Sequence, residues 1–234
     1  MKLKELVTEN TEKNLIGVKV DGRTYTVDGI DVPINDDIGL PSMSLTSLYG
    51  IPKIIHGDFR CRYNKLTSLK DGPTEIYGLL NCSHNKIESL VDGPKTVHGH
   101  YLCADNALTS LKGMPNEVKR VNCSKNLLTS LEYAPKIVNG SFDCSNNKIC
   151  SLKDIHKMMT RISGKFTCNQ DAYSNDIESH VLGLILIEDL KSVEINKDFT
   201  LNKIINRHLR KGRQGVMDCQ RELIDAGYEE FAKM

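Results

Sequence analysis

Hydrophobic and polar positions recur in a fixed phase through the middle of the chain. Ser-Leu pairs stand at 47–48, 68–69, 89–90, 110–111, 130–131 and 151–152, so the spacings are 21, 21, 21, 20 and 21. Proline follows each of the first five leucines four residues on, at Pro52, Pro73, Pro94, Pro115 and Pro135. Cysteine recurs at Cys61, Cys82, Cys103, Cys123 and Cys144, and asparagine three residues later at Asn64, Asn85, Asn106, Asn126 and Asn147. Two positions further come Leu66, Ile87, Leu108, Leu128 and Ile149. Markers kept in phase at this period are the mark of a repeat array.

Within a unit, Phe59 and Cys61 stand two residues apart, as do Leu80 and Cys82, Tyr101 and Cys103, Val121 and Cys123, and Phe142 and Cys144. That is strand spacing. A unit so short has room for one short strand and an extended return, and none for a full helix. Alone it cannot bury its apolar edge, so the pattern predicts units stacked into a parallel solenoid, mostly β, in the α/β-type class. The recurring Asn fits such a coil, because an inward amide offers two donors and an acceptor to backbone groups at each turn. Gly57, Gly78, Gly99 and Gly140 precede the strands. They are read as absorbing one extra residue in a turn or bulge.

The ends of the array are degenerate, as caps of a solenoid are. Ile38, Leu40, Met43, Leu45 and Leu48 keep the phase with Met43 in the Asn place, and Ile162, Gly164, Phe166 and Cys168 keep it with Asp171 there. The interval from Cys144 to Cys168 is 24 residues, which predicts an extra turn, helical in form, over 154–161. Seven strands at roughly 4.8 Å make an array of about 29 Å. Before it, Val18-Lys19-Val20 and Thr24-Tyr25-Thr26-Val27 flank Asp21-Gly22, which predicts a hairpin covering the first repeat's edge. The first dozen residues are read as a short helix or loose chain.

After the array the period changes. Ile177, Val181, Leu184, Ile185 and Leu190 stand at helical spacing over 176–190. A second helix runs from a cap at Asp198 or Thr200 to Lys211, with Leu201, Ile204, Ile205 and Leu209 inward and Gly212 as its stop. A third spans about 215–226, with Val216, Leu223 and Ile224 inward and Gly227 as its stop. The chain therefore divides into a hairpin cap (1–37), the solenoid (38–172) and a helical region (173–234). The helices either cap the solenoid or form a small partner-binding module.

Composition refines this picture. The chain has 234 residues, 39% hydrophobic and 26% charged, so it buries a core. A formal net charge of +1 excludes a polybasic nucleic-acid binder over the whole chain, though not a local patch. The start lacks a signal-peptide core, and the apolar run 181–187 is far short of the ~20 residues that span a bilayer. A soluble, cytoplasmic protein with reduced thiols is expected.

The pattern resembles the leucine-rich repeat, LxxLxLxxNxL, over residues 38–172. The short proline-bearing unit is most similar to the bacterial class found in secreted effectors, L-P-x-x-L-x-x-L-x-V-x-x-N. Pro115-Asn-Glu-Val118-Lys-Arg-Val121-Asn-Cys123-Ser-Lys-Asn126 matches that spacing, and cysteine replaces the usual aliphatic residue. With its helical tail the chain looks like leucine-rich-repeat proteins of tailed bacteriophages. The resemblance implies a partner-binding scaffold, and the phage likeness implies a host or defence protein as partner, met in the cytoplasm of a bacterium or infected cell. Some effectors of this class carry a ubiquitin-ligase domain with a Cys-x-Asp nucleophile. The Cys-x-Asp of this chain, Cys103-Ala104-Asp105, lies within the repeats; the tail cysteine, Cys219, is followed by Gln-Arg, and the tail is too short for that domain.

Candidate chemistry is sparse. No two cysteines have C-x-x-C spacing, and six of the eight share one repeat position. They read as a ladder of small buried hydrophobes, which leaves Cys150 and Cys219 apart. Cys219 is a possible nucleophile, with a helix-packing thiol the simpler reading. His56 and His98 share a repeat position two units apart, about 10 Å by strand spacing, while His84 and His100 fall on the exposed strand face. Neither pair makes a metal site, and no cofactor, metal or catalytic motif is expected. The concave strand face varies from unit to unit while the inward positions stay constant. Its candidate binding residues are Arg60, Arg62, Tyr63, Asn81, His84, His100, Asp105, Arg120, Lys125, Asp143 and Asn146. The expected function is non-catalytic binding of a partner protein there. The alternative is nucleic-acid association through the basic tail helix, with Lys203, Arg207, His208, Arg210, Lys211 and Arg213. No membrane partner is expected.

Overall fold

The computed structural model describes residues 16–20 and 23–27 as backbone, and residues 37–168, 177 and 179–234 with their side chains. Asp171 and the first dozen residues lie outside this set. Strands β1 (Ile16–Val20) and β2 (Arg23–Val27) form the antiparallel hairpin, with Val20 opposite Arg23.

The main sheet is parallel. It comprises β3 (Ile38–Gly39), β5 (Phe59–Arg60), β7 (Leu80–Asn81), β9 (His100–Leu102), β11 (Arg120–Asn122), β13 (Phe142–Asp143), β15 (Lys165–Thr167) and β16 (Ser192–Glu194). Its register aligns Ile38, Phe59, Leu80, Tyr101, Val121, Phe142, Phe166 and Val193 in one row. Each of these side chains is buried. The row is an apolar column running the length of the stack, and burying such columns is what each unit needs from its neighbours. Tyr101 alone brings a hydroxyl into it, and that hydroxyl has no hydrogen-bond partner.

The return segments are more ordered than an extended return implies. They carry strands β4 (Ile54–Ile55), β6 (Glu75–Ile76), β8 (Thr96–Val97), β10 (Glu117–Val118), β12 (Ile137–Val138) and β14 (Arg161–Ile162). These form two sheets, β4-β6-β8 and β10-β12-β14, with no pairing between β8 and β10. The break falls at the unit of 20 residues. Val97 and Val118 are each the last residue of a return strand, but His98 and Gly99 follow the first and only Lys119 the second before the next strand. The residue lost is the one whose N–H would reach the Val97 carbonyl, as Tyr77 reaches Ile55 (2.9 Å) and His98 reaches Ile76 (2.9 Å).

The glycines before the strands lie in bends, as expected, and close backbone packing gives a second reason for them. None of Gly78, Gly99, Gly140 or Gly164 has a positive φ. A Cβ at Gly78 would sit 2.5 Å from the Gly57 carbonyl oxygen, and one at Gly140 2.5 Å from that of Lys119. Successive backbones touch at this corner, and a side chain has no room.

The asparagines act as the pattern suggests. Asn126 is buried, and its amide donates to the carbonyls of Cys103 (3.1 Å), Cys123 (3.0 Å) and Ser124 (3.1 Å) while accepting from Leu108 N–H (3.0 Å). Asn64, Asn85, Asn106 and Asn147 repeat this set. Beside them the six ladder cysteines are fully buried free thiols. Cys82, Cys123 and Cys144 direct Sγ at the next strand's carbonyl, at 3.6, 3.4 and 3.3 Å.

The long return holds a single helical turn, α1 (Ile155–Met158). Beyond it the structure corrects the sequence reading. Among the described residues of 176–190 there is no α-helix: a 3-10 helix occupies Leu182–Leu186, and the chain then adds β16 as an eighth strand. Leu182, Leu184, Ile185 and Ile187 are all buried, so the segment is apolar on every side, and periodicity cannot separate such a run from a buried strand.

Two helices close the molecule, α2 (Phe199–His208) and α3 (Gly212–Asp225). Asp198 caps α2 by accepting from Thr200 N–H (2.7 Å) and Leu201 N–H (3.3 Å). Leu201, Ile204, Ile205 and Leu209 are buried as expected. On α3 the buried line is Gly215, Cys219 and Leu223, each four residues on, and Ile224 turns outward with 46% of its surface exposed. That corrects its assignment as inward: one helical step of about 100° separates it from Leu223. Helix α2 lies on the free edge of β16. The Asn206 side chain accepts from Val193 N–H (2.8 Å) and donates to Val193 C=O (2.9 Å). One turn earlier, Asn202 accepts from Ile195 N–H (3.0 Å) and donates to Asn196 C=O (2.6 Å). Two amides stand in for a ninth strand, so the helices cap the sheet.

Candidate interaction face

The outward rows of the main sheet carry the residues read as binding candidates, and the structure sorts them by how far they are already engaged. Arg60 is held between Asp37 (2.9 Å) and Asp58. Asp37 also accepts Asp58 N–H at 2.7 Å, and this bond, then the Arg60 guanidinium, holds its carboxyl below the usual range. Arg60 is thus part of a bracket on the first units. Asn81 accepts Ser83 N–H (3.2 Å), and Asp143 accepts from Ser145 N–H (3.0 Å) and Oγ (2.7 Å). These short polar side chains lock the strand ends.

A second group forms a stacked cluster. The Tyr63 and His84 rings lie 4.2 Å apart and nearly parallel, at 5°. Arg62 places its guanidinium 5.7 Å from the Tyr63 centroid, and His84 Nδ1 lies 2.6 Å from Asp105 Oδ2. The geometry has a backbone cause. Tyr63, His84, Asp105, Lys125 and Asn146 all adopt left-handed φ, at 57°, 56°, 56°, 54° and 55°. Each costs roughly 1–2 kcal/mol for an L-residue, and the repeat asparagine that follows, with its backbone hydrogen bonds, holds each turn in place. No residue type announces this, because tyrosine, histidine and lysine seldom favour that conformation.

A third group is unengaged. Arg120 and Lys125 are exposed, with no ion pair among the described residues. His100 is exposed beside Arg120, its register partner. His84 and His100 do not come together: His84 sits between Tyr63 and Asp105.

Sequence reading missed a further column. Tyr77 stands between His56 and His98, with ring centroids at 4.5 and 4.7 Å. All three follow a return strand at one repeat position, and that phase was the available signal.

The basic tail splits. Arg207 pairs with Glu222 on α3, and His208 is buried with Nε2 2.7 Å from the same carboxylate. The His208 hydrogen bond, then the Arg207 charge, holds Glu222 below the usual range. Lys203, Arg210, Lys211 and Arg213 remain exposed, without ion pairs among the described residues. Cys219 is fully buried, and burial together with the Glu222 charge pushes its thiol up to about 12. Burial does the same for Cys82, up to about 12. Cys150 is exposed. Among the described residues no group of three or more His, Cys, Asp or Glu side chains is placed to hold a metal ion, and no helix is long and apolar enough to cross a membrane.

No protein-family model matches the chain, and no curated protein or solved structure does so either.

Proposed function

We propose that this chain is a non-catalytic interaction protein of the leucine-rich-repeat type, which binds a partner protein on the outward face of its main sheet. The observation that carries the reading is the contrast between the two sides of that sheet. The inward rows hold buried apolar residues and cysteines in every unit, while the outward rows differ from unit to unit and present Arg62, Tyr63, Arg120 and Lys125 exposed. Side chains fixed on a stacked backbone lose little entropy on association. The likeness to tailed-phage proteins supports a host or defence protein in the bacterial cytoplasm as that partner.

The test is affinity capture from host lysate, followed by two double variants, Arg62→Ala with Tyr63→Ala and Arg120→Ala with Lys125→Ala. Loss of at least tenfold in affinity, about 1.4 kcal/mol, is expected in one or both. Capture of the same partner with undiminished affinity by both variants rejects the reading.

The exposed cations Lys203, Arg210, Lys211 and Arg213 favour nucleic acid as the second reading. Duplex affinity that falls steeply between low and physiological salt would support it. No binding at low salt removes it.

A further inference from the structure

The return side of a regular solenoid offers no concavity, because every unit repeats its neighbour's outline. Two units here break that regularity. The fourth is one residue short, and the sixth is long enough to fold α1. Between them lies a cavity of about 300 Å³. The short unit contributes Met114, the unit between contributes Tyr133, Ala134 and Lys136, and α1 contributes Lys157 and Met158.

The chemistry of this notch is one-sided. Met114 and Ala134 are buried and Met158 half-buried, so its floor is apolar, and methionine adapts to varied shapes. Tyr133 forms a wall in a left-handed turn, with Lys112 Nζ 6.0 Å from its ring centroid. Among the described residues Lys136 has no ion pair, and Lys157 has only an exposed one, with Asp154 at 2.7 Å. Exposed pairs of that kind hold weakly, so this amine can turn to a ligand. No carboxylate lines the cavity.

From the apolar floor, the aromatic wall and the two amines at the rim, we propose that this notch binds a carboxylate carried on a compact apolar body. The volume is at the lower end for organic ligands and suits a single ring with a short chain. The site is on the opposite side of the stack from the outward rows of the main sheet, so it stands whatever binds there.

The test uses the full chain with ¹³C-labelled methionine methyl groups, of which there are seven. The probes are 3-phenylpropionate, its uncharged amide and acetate. The carboxylate is expected to shift the Met114 and Met158 methyl signals with millimolar affinity, and acetate and the amide to do so at least fivefold more weakly. Lys136→Gln, an exposed substitution, should weaken the carboxylate at least threefold while the other methyl signals stay in place. A peptide ending in free phenylalanine separates the two sources of such a group. Tighter binding than the small acid assigns a chain terminus, and weaker binding assigns a free organic acid. Unmoved Met114 and Met158 signals, equal response to acid and amide, or unchanged affinity in Lys136→Gln overturns the proposal.

Discussion

Two sets of asparagine amides hold this molecule together, and they work in opposite settings. Within the repeats, Asn64, Asn126 and Asn147 are buried and Asn85 and Asn106 half-buried, and each amide ties backbone groups of its own unit to the unit before. At the end of the stack, Asn202 and Asn206 are half-buried on a helix and meet the edge of a strand that water could otherwise reach. The same side chain serves in one case as an internal strut and in the other as a plug. The difference teaches that what an amide contributes is set by what its partners would do without it.

Asn126→Ala breaks the comparison most sharply. It leaves the Leu108 N–H without its acceptor in the interior, at roughly 1–3 kcal/mol, and takes one of two partners from the carbonyls of Cys103, Cys123 and Ser124, which still accept from Asn106, Asn147 and Asp105 N–H. A loss of about 3 kcal/mol in urea unfolding is expected, and one below about 1 kcal/mol would reject the strut. Asn202→Ala with Asn206→Ala should cost about 2 kcal/mol, since freed edge groups regain water. Faster amide exchange at Val193 and Ile195, with repeat amides unchanged, would mark it as a local effect. Equal losses in the two variants would erase the distinction between strut and plug.

Tyr101→Phe tests the converse, a buried polar group that finds no partner. Removing its hydroxyl should raise stability by about 1 kcal/mol, and a loss would mean the hydroxyl is bonded after all. Glu222→Gln is the smallest, well under 1 kcal/mol for a half-exposed contact. Because Glu222 sits below its ordinary pKa in the folded chain, its contribution is present at neutral pH and fades as pH falls below about 4. Melting curves at pH 7 and pH 3 check this: the difference between variant and parent should be larger at the higher pH.

The stack was legible because Cys, Asn, Ser-Leu and Pro recur in phase, and each marks a position whose neighbours repeat. The return strands were legible in principle, since Ile55, Ile76, Val97, Val118, Val138 and Ile162 recur just as faithfully. Strand β16 was not, because it ends the array without the Cys or Asn marker and follows a run buried on all sides. On the interaction face, phase identified which side chains point outward. It could not say that Arg60 is tied to two carboxylates while Arg120 has no ion pair among the described residues, because those contacts depend on side-chain geometry and, for Asp37, on another unit. The left-handed turns that align Tyr63 with His84 are imposed by the stack and carry no local signal.

The short fourth unit has a mechanical meaning. Between the third and fourth units the return side has no ladder, while the strand side has β9 and β11 paired over three residues. Elsewhere the repeats from Ile54 to Ile162 are laced on both sides. At that junction the Lys119 N–H still donates to the Gly99 carbonyl (3.0 Å), so a load that bends the stack toward its strand face is resisted on the return side there by a single corner bond in place of a ladder. By deleting one residue, the sequence makes this the most lightly laced junction of the return side.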